Sequence, residues 1–405
     1  MLTFEYQARD PQTGKKITAA VEADSEQSAV KLISAQGFSP IKITLQQEGS
    51  GFIGQLRSRV GTKDKIIFSR QLSTLINAGL PLLQSLRTIT DQTKSKNLAV
   101  VLNRVISDVE AGSSLSAAIA RYPRVFNQVF VSLVAAGETS GTLDKSLERI
   151  ANQQEKDAEL ISKVRGAMIY PIVVLMVMGG VVTFMLVSVL PQVQELYKGL
   201  PGARLPFLTS MLLAISNFLI HFWWLILIVA GMGLFFSARW IQSGPGRSFA
   251  DKAKISVPPF KLLFMKMYMS RFARTGSTLV SSGVPLLQVL QITAHAINNV
   301  HIAASLDAAA EKVKGGKALS TAIEKDENFL SLVPNMLRIG EQSGQIEQML
   351  AKTADYYEKE VDTQVKAIST IIEPVLMIML GGVTLIIVGA VLLPIYSLVG
   401  SDALQ

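Results

Sequence analysis

Few residues of this chain could do chemistry, and its paired acids stand first. Glu155 and Glu159 are four residues apart, on one face of a helix, and Glu358 and Asp362 repeat the spacing further on, with Asp157 and Glu360 between them. Such carboxylates can hold a divalent cation, or receive a basic patch on a partner. The same pattern also describes a solvated helix face, because Lys156 and Lys359 share the turns. A divalent cation is thus the one cofactor these residues invite. Of the histidines, His221 lies in an apolar run, while His295 and His301 lie in helical, more polar sequence. An ionisable residue at membrane depth is a functional candidate by default. No Ser or Asp at a useful spacing accompanies His221, so a polar packing role is expected rather than a serine–histidine protease. The stretch KGGKALS, Lys314 to Ser320, looks like a phosphate loop but lacks the G-x-x-x-x-G-K-[ST] spacing and a preceding strand. There is no cysteine, hence no disulfide framework, thiolate metal site or thiol nucleophile. No residue is expected to be catalytic.

The elements that must position these groups are written twice. FSRQLSTLINAGLPLLQSL, Phe68 to Leu86, returns as FARTGSTLVSSGVPLLQVL, Phe272 to Leu290, at an offset of about 204 residues. After a one-residue slip, Gly137-Glu138-x-Ser140-Gly141 matches Gly340-Glu341-x-Ser343-Gly344, Pro171 matches Pro374, and Leu190-Pro191 matches Leu393-Pro394. One helical unit ending in an apolar segment has been duplicated, which decides the fold before any single element does.

The apolar segments read as membrane spans. No charge occurs between Pro171 and Pro191, between Pro374 and Pro394, or from Met211 to Phe236. Stretches of about 19 residues or more cross roughly 30 Å of hydrocarbon as helices, and a mean hydropathy of +0.35 agrees. Two polar domains on one side, each followed by a span, require a third span to return the chain, and Met211 to Phe236 serves; this is a parallel duplication, unlike inverted transporter repeats. Lys163, Arg165 and Lys366 precede spans, and Arg239, Arg247, Lys252 and Lys254 follow one, so both large domains are expected to be cytoplasmic. MLTFEYQARD has no apolar core behind a basic start, so internal spans are expected to insert the chain. The net charge of +8 is explained by flanks facing anionic lipid rather than by nucleic acid.

The expected architecture is an all-α polytopic membrane protein with two duplicated six-helix cytoplasmic bundles, three transmembrane helices and a small α+β N-terminal module. Its segments are the module 1–45, a linker 46–62, a first bundle 63–169, a span 170–191, a short external loop 192–210, a span 211–236, a second bundle 237–372, a span 373–396 and an external tail 397–405. In the module, Phe4 to Ala8, Ile17 to Ala23 and Pro40 to Leu45 read as strands, Asp10 to Gly14 as a turn, and a helix starts at Ser25 and stops at Gly37. Helix breaks are expected at Gly79-x-Pro81 and Gly283-x-Pro285, at Gly112 with Ser113 and Ser114 as caps, at Gly315-Gly316, at Tyr122-Pro123, at Pro334, and between Gly137 and Gly141 or Gly340 and Gly344. Pro171 and Pro374 read either as joints between bundle and span or as plain membrane-boundary residues. Gly179, Gly180, Gly381 and Gly382 suit close helix packing in a homo-oligomer.

These segments resemble the GspF/PilC family, the polytopic inner-membrane platform proteins of type IV pili and type II secretion systems. The likeness lies in RQLSTLINAGLPL, LVAAGETSGTL, RTGSTLVSSGVPL, RIGEQSGQI and IIEPVLMIML, and in the N-terminal ARDPQTGKK and AVEADSEQSAVKLISAQGFSPIKI. Copy two differs in having Glu373 in place of Tyr170 and Gly276 in place of Leu72. The resemblance implies a non-enzymatic protein of the bacterial inner membrane. It would contact a cytoplasmic hexameric assembly ATPase, pilin or pseudopilin subunits and other inner-membrane assembly proteins. Its helix-turn motifs would set the geometry of the levers. A pilus platform is the preferred branch, a type II secretion platform the alternative, and a small-molecule transporter a distant third, since the spans offer little polar lining beyond Asn217 and His221.

Overall fold

The computed structural model describes residues 2–9, 16–23, 26–35, 39–45, 60–198, 207–258 and 260–402. The expected turn from Asp10 to Gly14, the helix limits Ser25 and Gly37, and most of the linker lie outside them. The chain forms two compact units, residues 1–61 with 94–100, and residues 62–93 with 101–405.

In the N-terminal unit β1 (Leu2–Arg9) pairs antiparallel with both β2 (Lys16–Ala23) and β3 (Ser39–Leu45), giving the order β2-β1-β3. Between β2 and β3 lies α1 (Glu26–Ala35), with Ile33 buried. The β1–β3 register shifts between Gln7 and Ala8, where Pro40 stands opposite Ala8. A proline cannot donate to the ladder, so it sits on an edge strand at an irregularity.

The rest is helical. The first domain comprises α2 (Thr62–Asn77), α3 (Leu82–Gln92), α4 (Lys96–Glu110), α5 (Leu115–Ala120), α6 (Gln128–Ser140) and the start of α7 (Leu143–Phe184). A π-helical turn (Met185–Val189) continues α7 into α8 (Leu190–Lys198). Helix α9 (Phe207–Gln242) is the second apolar segment, and α10 (Gly244–Ser256) follows it. The second domain repeats the first as α11 (Phe260–Ser281), α12 (Leu286–Ala296), α13 (Val300–Lys314), α14 (Leu319–Ile323), α15 (Leu332–Ser343) and the start of α16 (Ile346–Asp402). Each domain thus has the six helices expected. Helix α10 has no counterpart in the first copy.

The breaks fall where backbone chemistry demands. Gly79 and Gly283 take φ of +84° and +79°, and Pro81 and Pro285 stand just before α3 and α12. Gly141 and Gly344 end α6 and α15 at φ of +69° and +71°, a conformation that costs a residue with a Cβ. Two expectations shift. Gly137 and Gly340 lie inside α6 and α15, so Gly141 and Gly344 alone make those turns. Pro334 lies in the first turn of α15, where its missing N–H costs nothing, so that break precedes it.

The two cores are equivalent. Phe68, Leu72, Leu86, Ile89, Leu133 and Leu147 fill the first, with Phe68 and Phe126 rings 5.7 Å apart. Phe272, Leu290, Leu306, Leu337 and Tyr357 fill the second, with Phe272 and Phe329 rings 5.6 Å apart. Where copy one has Leu72, Gly276 lets Leu350 of α16 close in: a Cβ there would stand 3.2 Å from its Cδ1.

Three helices are long and apolar enough to cross a membrane, and they contain the three expected spans. Met176, Ile378 and Leu385 exemplify their exposed surface, which suits hydrocarbon rather than water. Both α7 and α16 run unbroken from domain into span, through Pro171 and Pro374. At 1.5 Å per residue, the 57 residues of α16 reach about 85 Å. The spans meet through Leu186, Leu190, Leu213 and Ala390. There the Ser216 hydroxyl donates to the carbonyl of Leu186, in the π-helical turn, and Thr209 donates to the carbonyl of Ala390 at 3.0 Å. A π turn disturbs the backbone ladder, and a buried hydroxyl restores the lost donor.

Candidate functional site

The paired acids lie on the long helices, and the structure gives each a basic partner. Glu155 takes two hydrogen bonds from Arg70 of α2, at 2.7 and 2.5 Å, and Arg70 also reaches Asn152. In copy two Glu358 is held by Arg274 of α11 at 2.8–2.9 Å, and Arg274 also donates to Asp355. Arg70 and Arg274 are equivalent residues of the duplicated motif, as are Asn152 and Asp355. Each domain is therefore clamped by the same arginine fork, bridging the start of its bundle and the helix that enters the membrane. Sequence reading missed these arginines although both lie in the quoted repeats; the available signal was that arginine and glutamate both recur in each copy. Arg70 lowers the Glu155 carboxyl below the ordinary carboxylate range by hydrogen bonding. The folded-state value is depressed, so this pair stabilises above the ordinary value and loses its effect as pH falls through the lowered one.

Glu159 and Asp362 meet across the duplication. Lys163 bridges them, 2.9 Å from Glu159 and 2.8 Å from Asp362. Among the described residues no group of three or more acidic or histidine side chains is placed to hold a metal ion. Around this bridge the domains lock together: Leu160, Leu263, Val361 and Ile368 form a common cluster. Arg149 donates to the Ser281 carbonyl at 2.8 Å and to the Ser282 hydroxyl at 2.9 Å, and Gln153 reaches Thr275 at 3.3 Å. Asp157 lies 3.7 Å from Arg271; burial in this interface raises its carboxyl, more than Arg271 lowers it.

The Gly-Glu-x-Ser-Gly motifs do more than turn the chain. Glu138 accepts from the backbone N–H of Leu115 and of Ser116, at 2.5 and 3.0 Å. Glu341 accepts from Ser320 N–H at 3.2 Å and from its hydroxyl. Each glutamate caps the start of the short α5 or α14, satisfying donors that a helix start leaves free. Ser114 adds a local cap through Ala117, whereas Ala318 in the equivalent position gives none. Glu341→Ala is accordingly expected to lower stability by about 1–2 kcal/mol and Glu138→Ala by less. Thermal unfolding of the full-length protein in detergent checks this; equal and negligible shifts would refute the capping role.

The remaining candidates resolve simply. His221 is on the surface of α9 with Nδ1 3.1 Å from the Asn217 carbonyl, so its contact is with its own helix. His295 and His301 bond the carbonyls of Gln291 and Ser248. The KGGKALS stretch is the α13–α14 junction: Gly316 turns the chain at φ +86° and Ser320 is held by Glu341. A Cβ at Gly179, Gly180, Gly381 or Gly382 would meet nothing within 4 Å, so these glycines leave open faces on the spans.

The structure defines a class of membrane protein: a duplicated helical domain, clamped on itself, with three helices long and apolar enough to cross a membrane. Residues 68–191 and 272–394 each match the family described as "Type II secretion system (T2SS), protein F", and residues 1–44 match its N-terminal domain. The chain belongs to this family. It is 37% identical over 412 residues to the type IV pilus assembly protein PilC of Thermus thermophilus, with all of both chains covered. It is 34% identical over 407 residues to PilC of Myxococcus xanthus, covering 98% of this chain and 95% of that one. It is 33% identical over 402 residues to the type II secretion system protein F of Vibrio cholerae, covering 98% of each.

Proposed function

We propose that this protein is the inner-membrane platform of a type IV pilus machine. On this reading both large domains are cytoplasmic, where they receive a hexameric assembly ATPase, and the spans pass its motion to pilin subunits entering the fibre. The observation that carries it is the full-length likeness to a pilus assembly protein. The continuity of α7 and α16 supplies the physics: a helix unbroken from domain to span carries a displacement without a loop to absorb it. Homo-oligomerisation through the open glycine faces would match such a scaffold to a filament and a hexamer. The platform acts without chemistry of its own. The type II secretion branch stands as the second reading, on the strength of the Vibrio cholerae relative. An in-frame deletion tests both, scored for surface filaments by electron microscopy and for secreted proteins in the same cultures. Loss of filaments, restored by complementation, supports the pilus platform; retained filaments with lost exoproteins move it to secretion; no change in either refutes the platform.

The divalent-cation reading of Glu155, Glu159, Glu358 and Asp362 has its own test. Each of these carboxylates already has a guanidinium or ammonium partner. Calorimetric titration of the full-length protein with calcium is expected to give no binding heat. A saturable heat lost in Glu159→Gln would reinstate the cation.

A further inference from the structure

Helix α10 leaves the second apolar helix at a closed corner. Arg239 is the first Asp, Glu, Lys or Arg after Arg204, so the apolar run of α9 ends there. The Trp240 carbonyl accepts from the Ser243 backbone N–H at 2.9 Å and from its hydroxyl at 2.6 Å. A Cβ on Gly246 would overlap that same carbonyl, so only glycine lets α10 start this close to the end of α9. As a result the rings of Trp240 and Phe249 lie 5.5 Å apart. Phe249 is thereby held beside the last turn of a helix long and apolar enough to cross a membrane.

One side of α10 is fixed to the second bundle. The buried Asp251 carboxylate accepts from the Val300 N–H at 3.1 Å and from Lys254 at 2.8 Å, and its backbone carbonyl accepts from the Asn299 amide at 3.2 Å. Arg247 donates to the Asn298 side chain at 3.0 Å. The other side is open. Phe249, 64% exposed, is the most exposed large apolar side chain described in that bundle, and Trp240, Ile241 and Val257 are exposed as well. Arg239 and Lys252 are exposed and, among the described residues, have no ion-pair partner. From Arg239 to Lys261 the only acid is Asp251, which the bundle has taken up, so the exposed charges of this segment are all positive.

This combination selects a lipid surface. Tryptophan concentrates where hydrocarbon meets headgroups. A helix with aromatic side chains on one face and Lys or Arg around them lies in that boundary, its apolar face about 5–10 Å deep, and is drawn to anionic lipid. Water is a poor neighbour for a paired Trp and Phe. A second copy of the chain is a poor one too, because a two-fold contact would set Arg239 and Lys252 against their own like charges. Continuity with α9 already brings the face to headgroup level.

We propose that the end of α9 and the open side of α10 form a docking surface for anionic phospholipid. Trp240 and Phe249 enter the headgroup boundary, and Arg239 and Lys252 meet lipid phosphates. The first copy has no such helix, so the second domain alone is tied to the bilayer in this way. The surface rests on α9 crossing a bilayer and not on the pilus reading.

The experiment uses the full-length protein in phosphatidylcholine nanodiscs with a minor share of phosphatidylglycerol. p-Benzoylphenylalanine, which keeps an aromatic ring, replaces Phe249, and the mass of the photo-adduct is read. The expected adduct is phospholipid, with phosphatidylglycerol enriched over its share of the disc. Arg239→Gln and Lys252→Gln are each expected to lower that enrichment by up to about fivefold, and Lys252→Arg to keep it. Neither residue holds a described ion pair, so equal helix content and membrane level of the variants are expected and are checked. The same probe at Leu234, exposed on α9, shows that the photochemistry works. Four results would overturn the proposal: no lipid adduct at Phe249 where Leu234 gives one, an adduct to another protein or a second copy, lipid adducts without phosphatidylglycerol enrichment, or enrichment that both Gln variants leave unchanged.

Discussion

Gly340→Val is expected to unfold the second domain at temperatures that the native chain survives. The α15–α16 hairpin closes through the Gln345 N–H on the Gly340 carbonyl at 2.8 Å. A Cβ at Gly340 would stand 2.9 Å from the Ile346 Cα and 3.2 Å from its nitrogen, both backbone atoms that no rotamer change can move. Valine adds two methyl groups to that conflict. Overpacking of this kind costs about 1–3 kcal/mol, and the hairpin starts the helix that becomes the third span. Gly137→Val meets Ser146, at 2.6 Å from its Oγ and 2.8 Å from its Cβ, and should be nearly as severe. Gly315→Ala is the control: φ there is −78° and a Cβ has only ordinary contacts, the nearest at 3.4 Å, so its effect should stay within about 0.5 kcal/mol. The measurement is thermal unfolding in detergent, with membrane abundance in cells. A Gly340→Val chain as stable as wild type would show that the hairpin packs less tightly than described.

Arg274→Met is expected to be the most damaging change of a surface-type residue. Arg274 is 21% exposed and Glu358 15%, and Asp355 lies against the same guanidinium. Removing the arginine leaves two neighbouring carboxylates uncompensated, one of them well buried, a loss of about 2–4 kcal/mol. Adding Glu358→Gln should recover part of it, because the stranded charge is removed. The equivalent pair is more open, with Arg70 at 37% and Glu155 at 42%, so its coupling should not exceed about 1 kcal/mol. Two thermodynamic cycles on full-length protein decide the matter. Equal couplings in the two copies would mean that burial does not set the strength of this clamp. Raising the salt should weaken the first copy's pair more than the second's, since exposed pairs are screened first.

The helix breaks were legible because they are local. Gly79, Gly283, Gly141 and Gly344 each adopt a backbone conformation that glycine alone takes easily, whatever surrounds it. Gly137 and Gly340 show the limit of that reasoning. In sequence they look like the other glycines of the same motif, yet their task is to let two helices touch. Glu138 and Glu341 stand in the same motif, and each caps a helix start more than twenty residues earlier in the chain. The acids at Glu155 and Glu358 were found by their spacing, but their arginines lie 85 and 84 residues away and were not.

By itself the sequence determined the duplication, the three membrane-crossing segments, the six helices of each domain and the family. These follow from period, from apolar length measured against a bilayer, and from the backbone needs of glycine and proline, all of which act over a few residues. Tertiary structure alone decided which charge meets which, and how Arg149, Gln153 and Lys163 join the two copies. The reason is geometric. Such contacts depend on how helices cross and how deep each side chain then lies, and residues far apart in the chain carry no local signal of either.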